Sequence, residues 1–140
     1  MSRTTVDGNV PSNVNPSSSS ETLLLVDDDE RVRAFVRVVL RKRGYRVLEA
    51  TNGEEALRSA ERVHSRIDMI LTDVVMPGMH GRTLADKMTI LHPETKVLFM
   101  SGYTDSQVLR QNPSGPQIPL IQKPFTPEEL LRRVREVLNG

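Results

Sequence analysis

Short apolar runs alternate with helix-patterned stretches along most of this chain, and that alternation leaves few folds open. "TLLLV" (22–26) is a continuous apolar run, as in a strand covered on both faces. Val32, Phe35, Val36, Val39 and Leu40 then recur at helical spacing on one face, and Gly44 ends that helix. "YRVLEA" (45–50) reads as a second strand, after which Asn52 can cap a helix carrying Ala56, Leu57, Ala60 and Val63. "IDMILT" (67–72) is a third strand and runs into a loop, "DVVMPGMHG" (73–81), marked by Pro77, Gly78 and Gly81. Leu84, Met88 and Leu91 mark a third helix, and "KVLFM" (96–100) a fourth strand. Residues 105–111 suggest a short, weak helix cut off by "NPSGP", before a fifth strand, "IPLIQ" (118–122). The clearest helix is "TPEELLRRVREVL", with Thr126 as N-cap, Pro127 at N1 and Glu129 completing a capping box. Leu130, Leu131, Val134, Val137 and Leu138 form its apolar face. Five strand–helix units predict a parallel sheet with helices on both faces, joined by right-handed crossovers.

Residues 1–21 fall outside this pattern. They are rich in Ser, Asn and Pro with little to bury, and read as a disordered tail or linker ahead of one domain at 22–140. A linker to an upstream module and a bland tail fit that composition equally well. The 140 residues suffice for a single core. Net charge is +1, from 19 basic and 18 acidic residues, so no general electrostatic pull toward nucleic acid or an acidic surface exists. DNA reading is not expected, since no second domain follows Gly140 to carry a recognition helix. The absence of cysteine excludes disulfide, thiolate and zinc–cysteine chemistry and fits the cytosol. No apolar run approaches the ~20 residues of a membrane span, and no signal peptide is expected.

In open parallel sheets the functional crevice lies at the carboxyl ends of the strands. The first strand ends in Asp27, Asp28 and Asp29, the third in Thr72 and Asp73, the fourth in Ser101 and Gly102, and the fifth in Lys123 and Pro124. The second ends in Glu49 and Ala50, which suggest nothing. Clustered carboxylates repel one another, and burial makes each charge costlier. They become reasonable neighbours if a hard cation such as Mg²⁺ sits among them. A carboxylate can also attack phosphorus to form an aspartyl-phosphate. That chemistry needs positive charge around the transferring oxygens, which Mg²⁺ and Lys123 would supply, with Ser101 as a hydrogen-bond donor.

The ordered motifs "LLLVDDDE", "LTDVVMPGMHG", "FMSGYT" and "QKPFTPEEL" make residues 22–140 resemble the receiver domain of two-component response regulators. The wording of "LFMSGYTD…LIQKPFTPEELLRRVREVL" is most similar to receivers attached to hybrid sensor histidine kinases. The resemblance implies a flavodoxin-like (βα)5 fold, a doubly wound parallel α/β sheet with strand order 2-1-3-4-5. It implies Asp73 as phosphoacceptor, Asp28 as direct Mg²⁺ ligand, Asp27 as its water-mediated partner and the Val75 carbonyl completing the metal shell. Ser101 matches the switch hydroxyl and Lys123 the phosphate-binding lysine, whose bond to Pro124 is usually cis in the family. The implied partner is a histidine kinase or a histidine phosphotransfer protein. A downstream protein would dock on the fourth helix, fifth strand and last helix, and the setting would be cytoplasmic. The domain would catalyse its own phosphorylation and dephosphorylation without being a turnover enzyme.

One position departs from the family pattern. Leu120 stands where a Tyr or Phe usually precedes the lysine by three residues, which puts the usual aromatic relay in doubt. Val75 has no acid or amide to position an attacking water, so a long-lived phospho-Asp73 is expected. Val75 also counts against a haloacid dehalogenase-type phosphatase, which needs an acid two residues after its nucleophile. A docking-only receiver is the remaining alternative, supported by Leu120 alone. Asp29 is expected to be a helix N-cap or a bystander. His64, His80 and His92 read as scattered and exposed. Arg31, Arg33, Arg37, Arg41, Lys42 and Arg43 read as a solvated helix face, or failing that as a surface for an acidic patch on a kinase or transfer protein.

Overall fold

The computed structural model describes residues 21–63, 66–102 and 119–140. In chain order the elements are β1 (Thr22–Val26), α1 (Glu30–Lys42), β2 (Arg46–Ala50), α2 (Gly53–Arg62), β3 (Met69–Asp73) and α3 (Gly81–Leu91), followed by β4 (Lys96–Ser101), β5 (Leu120–Gln122) and α4 (Pro127–Asn139). The five strands form one parallel sheet in the order β2-β1-β3-β4-β5, the flavodoxin-like order expected. The helix expected at 105–111 and His64 lie outside the described residues.

The continuous apolar runs exist because both sheet faces are covered. On β1, Leu23 and Leu25 point into a core shared with α1 and α4, through Val36, Leu40, Leu130 and Val134. Leu24 and Val26 point the other way, against Ala56, Ala60, Leu84 and Met88 of α2 and α3. All four β1 residues are fully buried, each worth ~1.5–3 kcal/mol in water exclusion. β1 is held on both sides, by Leu23↔Val47 toward β2 and Leu23↔Met69 toward β3.

Local signals place the helix ends. Asp29 caps α1 by accepting the Arg31 N–H, which settles it as an N-cap. Asn52 caps α2 through the Glu55 N–H, and Thr126 and Glu129 form the full capping box of α4. Gly44 sits at φ 102° just past α1, in the left-handed region that lets its N–H turn back to the Arg41 carbonyl.

Leu84, Met88 and Leu91 all fall on α3 as expected, with Leu91 at its end 45% exposed. Two local expectations need correction. His92 is half-buried rather than exposed. Its Nε2 lies 3.2 Å from the Ala60 carbonyl and ties the end of α3 to α2. The third strand starts at Met69 rather than at 67, just after the backbone bonds to Thr22 and Lys96 made by Asp68. The Asp68 carboxylate accepts the Thr22 N–H at 2.8 Å.

Candidate functional site

Parallel register brings the strand ends to one edge. Val26 pairs with Thr72, Asp73 with Met100, and Ser101 with Gln122. Each following residue therefore emerges beside the next. The result is an acidic pocket in which one carboxylate oxygen each from Asp27, Asp28 and Asp73 lies within 4.8 Å of the others.

Asp27 is fully buried and held on every side. Its N–H continues the sheet to the Ala50 carbonyl at 3.2 Å, and its Oδ1 accepts the Asp29 N–H at 2.8 Å. Its Oδ2 meets Lys123 Nζ at 3.1 Å. Asp28, the next residue, is exposed. Asp73 is buried at the end of β3, with Oδ1 accepting the Val74 N–H at 2.9 Å and facing Lys123 Nζ at 3.4 Å. Lys123 arrives from 96 positions along the chain from Asp27. Its own N–H donates to the Ser101 carbonyl at 2.7 Å, which fixes it against β4, and the Lys123–Pro124 bond is cis. Ser101 is itself fully buried at the tip of β4.

Three carboxylates face one ammonium, so the pocket carries excess negative charge. Burial pushes the Asp73 carboxyl up to about 6, Lys123 opposes that rise, and the Asp27 charge adds to it. Burial also works against the Lys123 ammonium, but Asp27 and Asp73 outweigh it and hold the lysine above its ordinary range.

The loop after Asp73 is closed tightly. The Gly81 N–H reaches back to the Val74 carbonyl at 2.7 Å, and a Cβ at Gly81 would collide with the Asp73 carbonyl oxygen. Val75 lies in this loop with 55% of its surface exposed. His80 is exposed, yet its Nδ1 accepts the Arg82 N–H and so caps α3. A cleft of about 730 Å³ opens beside Asp28, lined also by Asn52, Gly53, Met79, His80 and Thr83. Leu120 packs half-buried against Val74, Ala85 and Phe99.

The structure thus gathers Asp27, Asp28, Asp73 and Lys123 side chain to side chain. It brings Ser101 to the same edge and leaves the Val75 side chain outside. Sequence reasoning missed Glu49 and misread part of the basic face. Arg37 donates to both Glu49 oxygens at 2.9 and 2.8 Å, and Arg33 Nε lies 3.4 Å from Glu49. Arg41 reaches the Val47 carbonyl at 3.1 Å. Three of the six cations are therefore docked on β2 rather than solvated.

Residues 23–135 match the response regulator receiver domain family, and the chain belongs to it. Among curated relatives, the sensor kinase CckA of Brucella abortus is 39% identical over 122 residues, 87% of this chain and 13% of that protein. The response regulator receiver protein CpdR of the same organism is 31% identical over 83% of this chain and 95% of its own length. The solved receiver domain from the hybrid histidine kinase CckA superposes with a TM-score of 0.70 at 34% identity, over 84% of this chain and 98% of that one. The chain is thus a receiver domain with an acidic pocket, similar to hybrid-kinase receivers. It spans only about an eighth of the kinase it matches. Among the described residues, no helix is long and apolar enough to cross a membrane.

Proposed function

We propose that this chain is a phosphoaccepting receiver in a two-component phosphorelay, with Asp73 as the acceptor. The carrying observation is the excess of three carboxylates over one lysine at a single strand edge. Acidic oxygens so gathered suit a hard cation, and Asp27, Asp28, Asp73 and the Val75 carbonyl would hold Mg²⁺. Bound there, Mg²⁺ supplies positive charge to the transferring phosphoryl oxygens.

The ionised Asp73 carboxylate attacks phosphorus of a phosphohistidine on a partner. An O–P bond forms, the P–N bond breaks, and its electron pair returns to the imidazole nitrogen. Lys123 takes a phosphoryl oxygen as partner and gives up part of its contact with Asp73. Ser101 donates to another phosphoryl oxygen, and its movement shifts the β4–β5 face. The added charge at Asp73 biases that surface between two states. Leu120 repacks against Phe99 without an aromatic ring to swing.

The partner is a histidine kinase or a histidine phosphotransfer protein, in the cytoplasm, and the domain at 22–140 catalyses only its own transfer and hydrolysis. The alternative, a docking-only receiver, draws on Leu120. Intact-protein mass after incubation with acetyl phosphate and Mg²⁺ separates the two. The expected gain is ~80 Da, stable to acid, labile to base and absent in Asp73→Asn. No gain from the small donor or from a cognate phosphohistidine kinase would leave docking alone.

A further inference from the structure

We propose that Arg33 is a positioning residue for the acidic pair, held on station by Glu49. The proposal rests on the Mg²⁺-dependent reading above. Arg33 Nη1 donates to the Asp27 main-chain carbonyl at 2.8 Å, and its side chain is only 13% exposed. That carbonyl belongs to the peptide joining Asp27 to Asp28. A peptide is planar, so the direction of its carbonyl sets the direction in which the Asp28 backbone leaves.

The two acids are anchored unequally. The Asp27 N–H, Oδ1 and Oδ2 are tied to Ala50, Asp29 and Lys123. Asp28 is exposed and lines the open cleft, without comparable ties among the described residues. Its carboxylate is therefore placed mainly by the peptide it hangs from. Among the described residues, the side-chain donor on that peptide's carbonyl is Arg33.

The geometry of α1 makes the contact a brace. Arg33 lies in the first turn, its N–H bonded to the Asp29 carbonyl at 3.1 Å, so its guanidinium folds back over the turn where the helix begins. Glu49 sits on β2 one residue before Ala50, whose carbonyl holds the Asp27 N–H. Arg37 clamps Glu49 with two bonds, and Glu49 faces Arg33 Nε. The planar fork of an arginine can meet a carbonyl and a carboxylate at once, which a lysine ammonium does with poorer geometry. Glu49, shared between Arg33 and Arg37, offsets part of their charge, and Arg33 meets the acidic segment through a main-chain carbonyl rather than a carboxylate.

Partners that orient metal ligands commonly change affinity by about 10–100-fold when removed. Arg33→Ala is therefore expected to weaken Mg²⁺ binding about tenfold by calorimetry, with Arg33→Lys recovering part of the loss and Glu49→Gln losing about threefold. Phosphorylation by acetyl phosphate should slow at low Mg²⁺ and recover at saturating Mg²⁺, a change in the Mg²⁺ requirement rather than in the limiting rate. Urea unfolding of the same variants reads the purely structural role. Lower stability with unchanged Mg²⁺ affinity in Arg33→Ala overturns the proposal. Should Arg33→Ala fail to fold, an unchanged affinity in Glu49→Gln overturns it instead. A wild-type chain that binds no Mg²⁺ overturns the parent reading, and that outcome is visible before any variant is made.

Discussion

The two ends of the sheet each hold a half-buried cation among oxygen partners, yet they do different things. At the entry edge, Arg135 donates to Glu21 at 2.7 and 3.3 Å and to the Tyr45 hydroxyl at 2.7 Å, with its guanidinium 5.6 Å from the Tyr45 ring centre. One cation meets one carboxylate and one hydroxyl. The hydrogen bond to Glu21 raises the Arg135 pKa, burial pushes Tyr45 up, and no charge is left over. At the carboxyl edge, Lys123 meets Asp27 and Asp73 while Asp28 stands beside them. The first cluster is a strut because it is balanced. The second is not balanced, and its surplus negative charge is what the proposed Mg²⁺ would offset.

The widest expected gap between the two edges comes from removing each cation. Lys123→Ala should slow phosphorylation of Asp73 by about 10²–10³-fold, the usual loss for a preorganised charge at a transferring group. The chain should still fold, and the initial rate of mass gain checks both. A rate within a few-fold of wild type would make Lys123 a second strut and erase the contrast.

The loop side chain next to the acceptor tests what limits the modified state. Phospho-Asp73 is expected to persist for minutes or longer, since Val75 offers no group to orient water. Val75→Gln should shorten its lifetime by at least about tenfold. Decay of the phosphorylated mass in purified protein with Mg²⁺ reads this directly, and a wild-type lifetime of seconds would contradict it.

Surplus charge also has a pH signature. The Asp73 pKa is raised in the fold from 3.8 to about 6. Its ionised form is therefore costlier in the folded than in the unfolded chain. Without metal, the Asp73 contribution is fully favourable below pH 3.8 and is lost as pH rises through about 6. The melting temperature of the metal-free protein relative to Asp73→Asn should fall across that window. Mg²⁺ should raise the wild-type value more at pH 8 than at pH 5. Thermal melts of both proteins at several pH values suffice, and parallel curves would remove the charge argument.

The smallest effect is expected at the entry edge. Arg135→Ala should lower stability by about 1–2 kcal/mol, from lost hydrogen bonds and an unpartnered Tyr45 hydroxyl. Phosphorylation should be unchanged. Urea unfolding checks the first statement and the mass assay the second.

Much of this was legible in the residues, for reasons that differ by position. Thr126, Pro127 and Glu129 announce a helix start because capping acts within four residues. The run at 22–26 announces a doubly covered strand because no polar side chain interrupts it. Asp27, Asp28 and Asp73 could be placed at one edge because parallel strands deliver their ends together. Leu91 marks α3 as expected, yet periodicity gives the face of a helix and not how deeply each position on it is buried. Glu49 was passed over because a lone carboxylate at a strand end has no local partner to betray it. Arg33 and Arg37 read as solvated because a basic stripe looks alike whether it meets water or a neighbouring strand.

What the sequence determined by itself, then, is the order and type of the elements, the helix caps and the set of acids available at the strand ends. Those follow from hydrophobic period and from contacts within a turn of chain. Only the tertiary structure decided that Lys123 would stand 3.1 Å from Asp27 and 3.4 Å from Asp73. It alone swung half the basic face of α1 onto β2, and set Arg33 on the peptide between the two acids. Those contacts depend on strand register and helix packing across tens of residues. No local pattern encodes that information, because the groups concerned become neighbours only once the sheet has closed around its core.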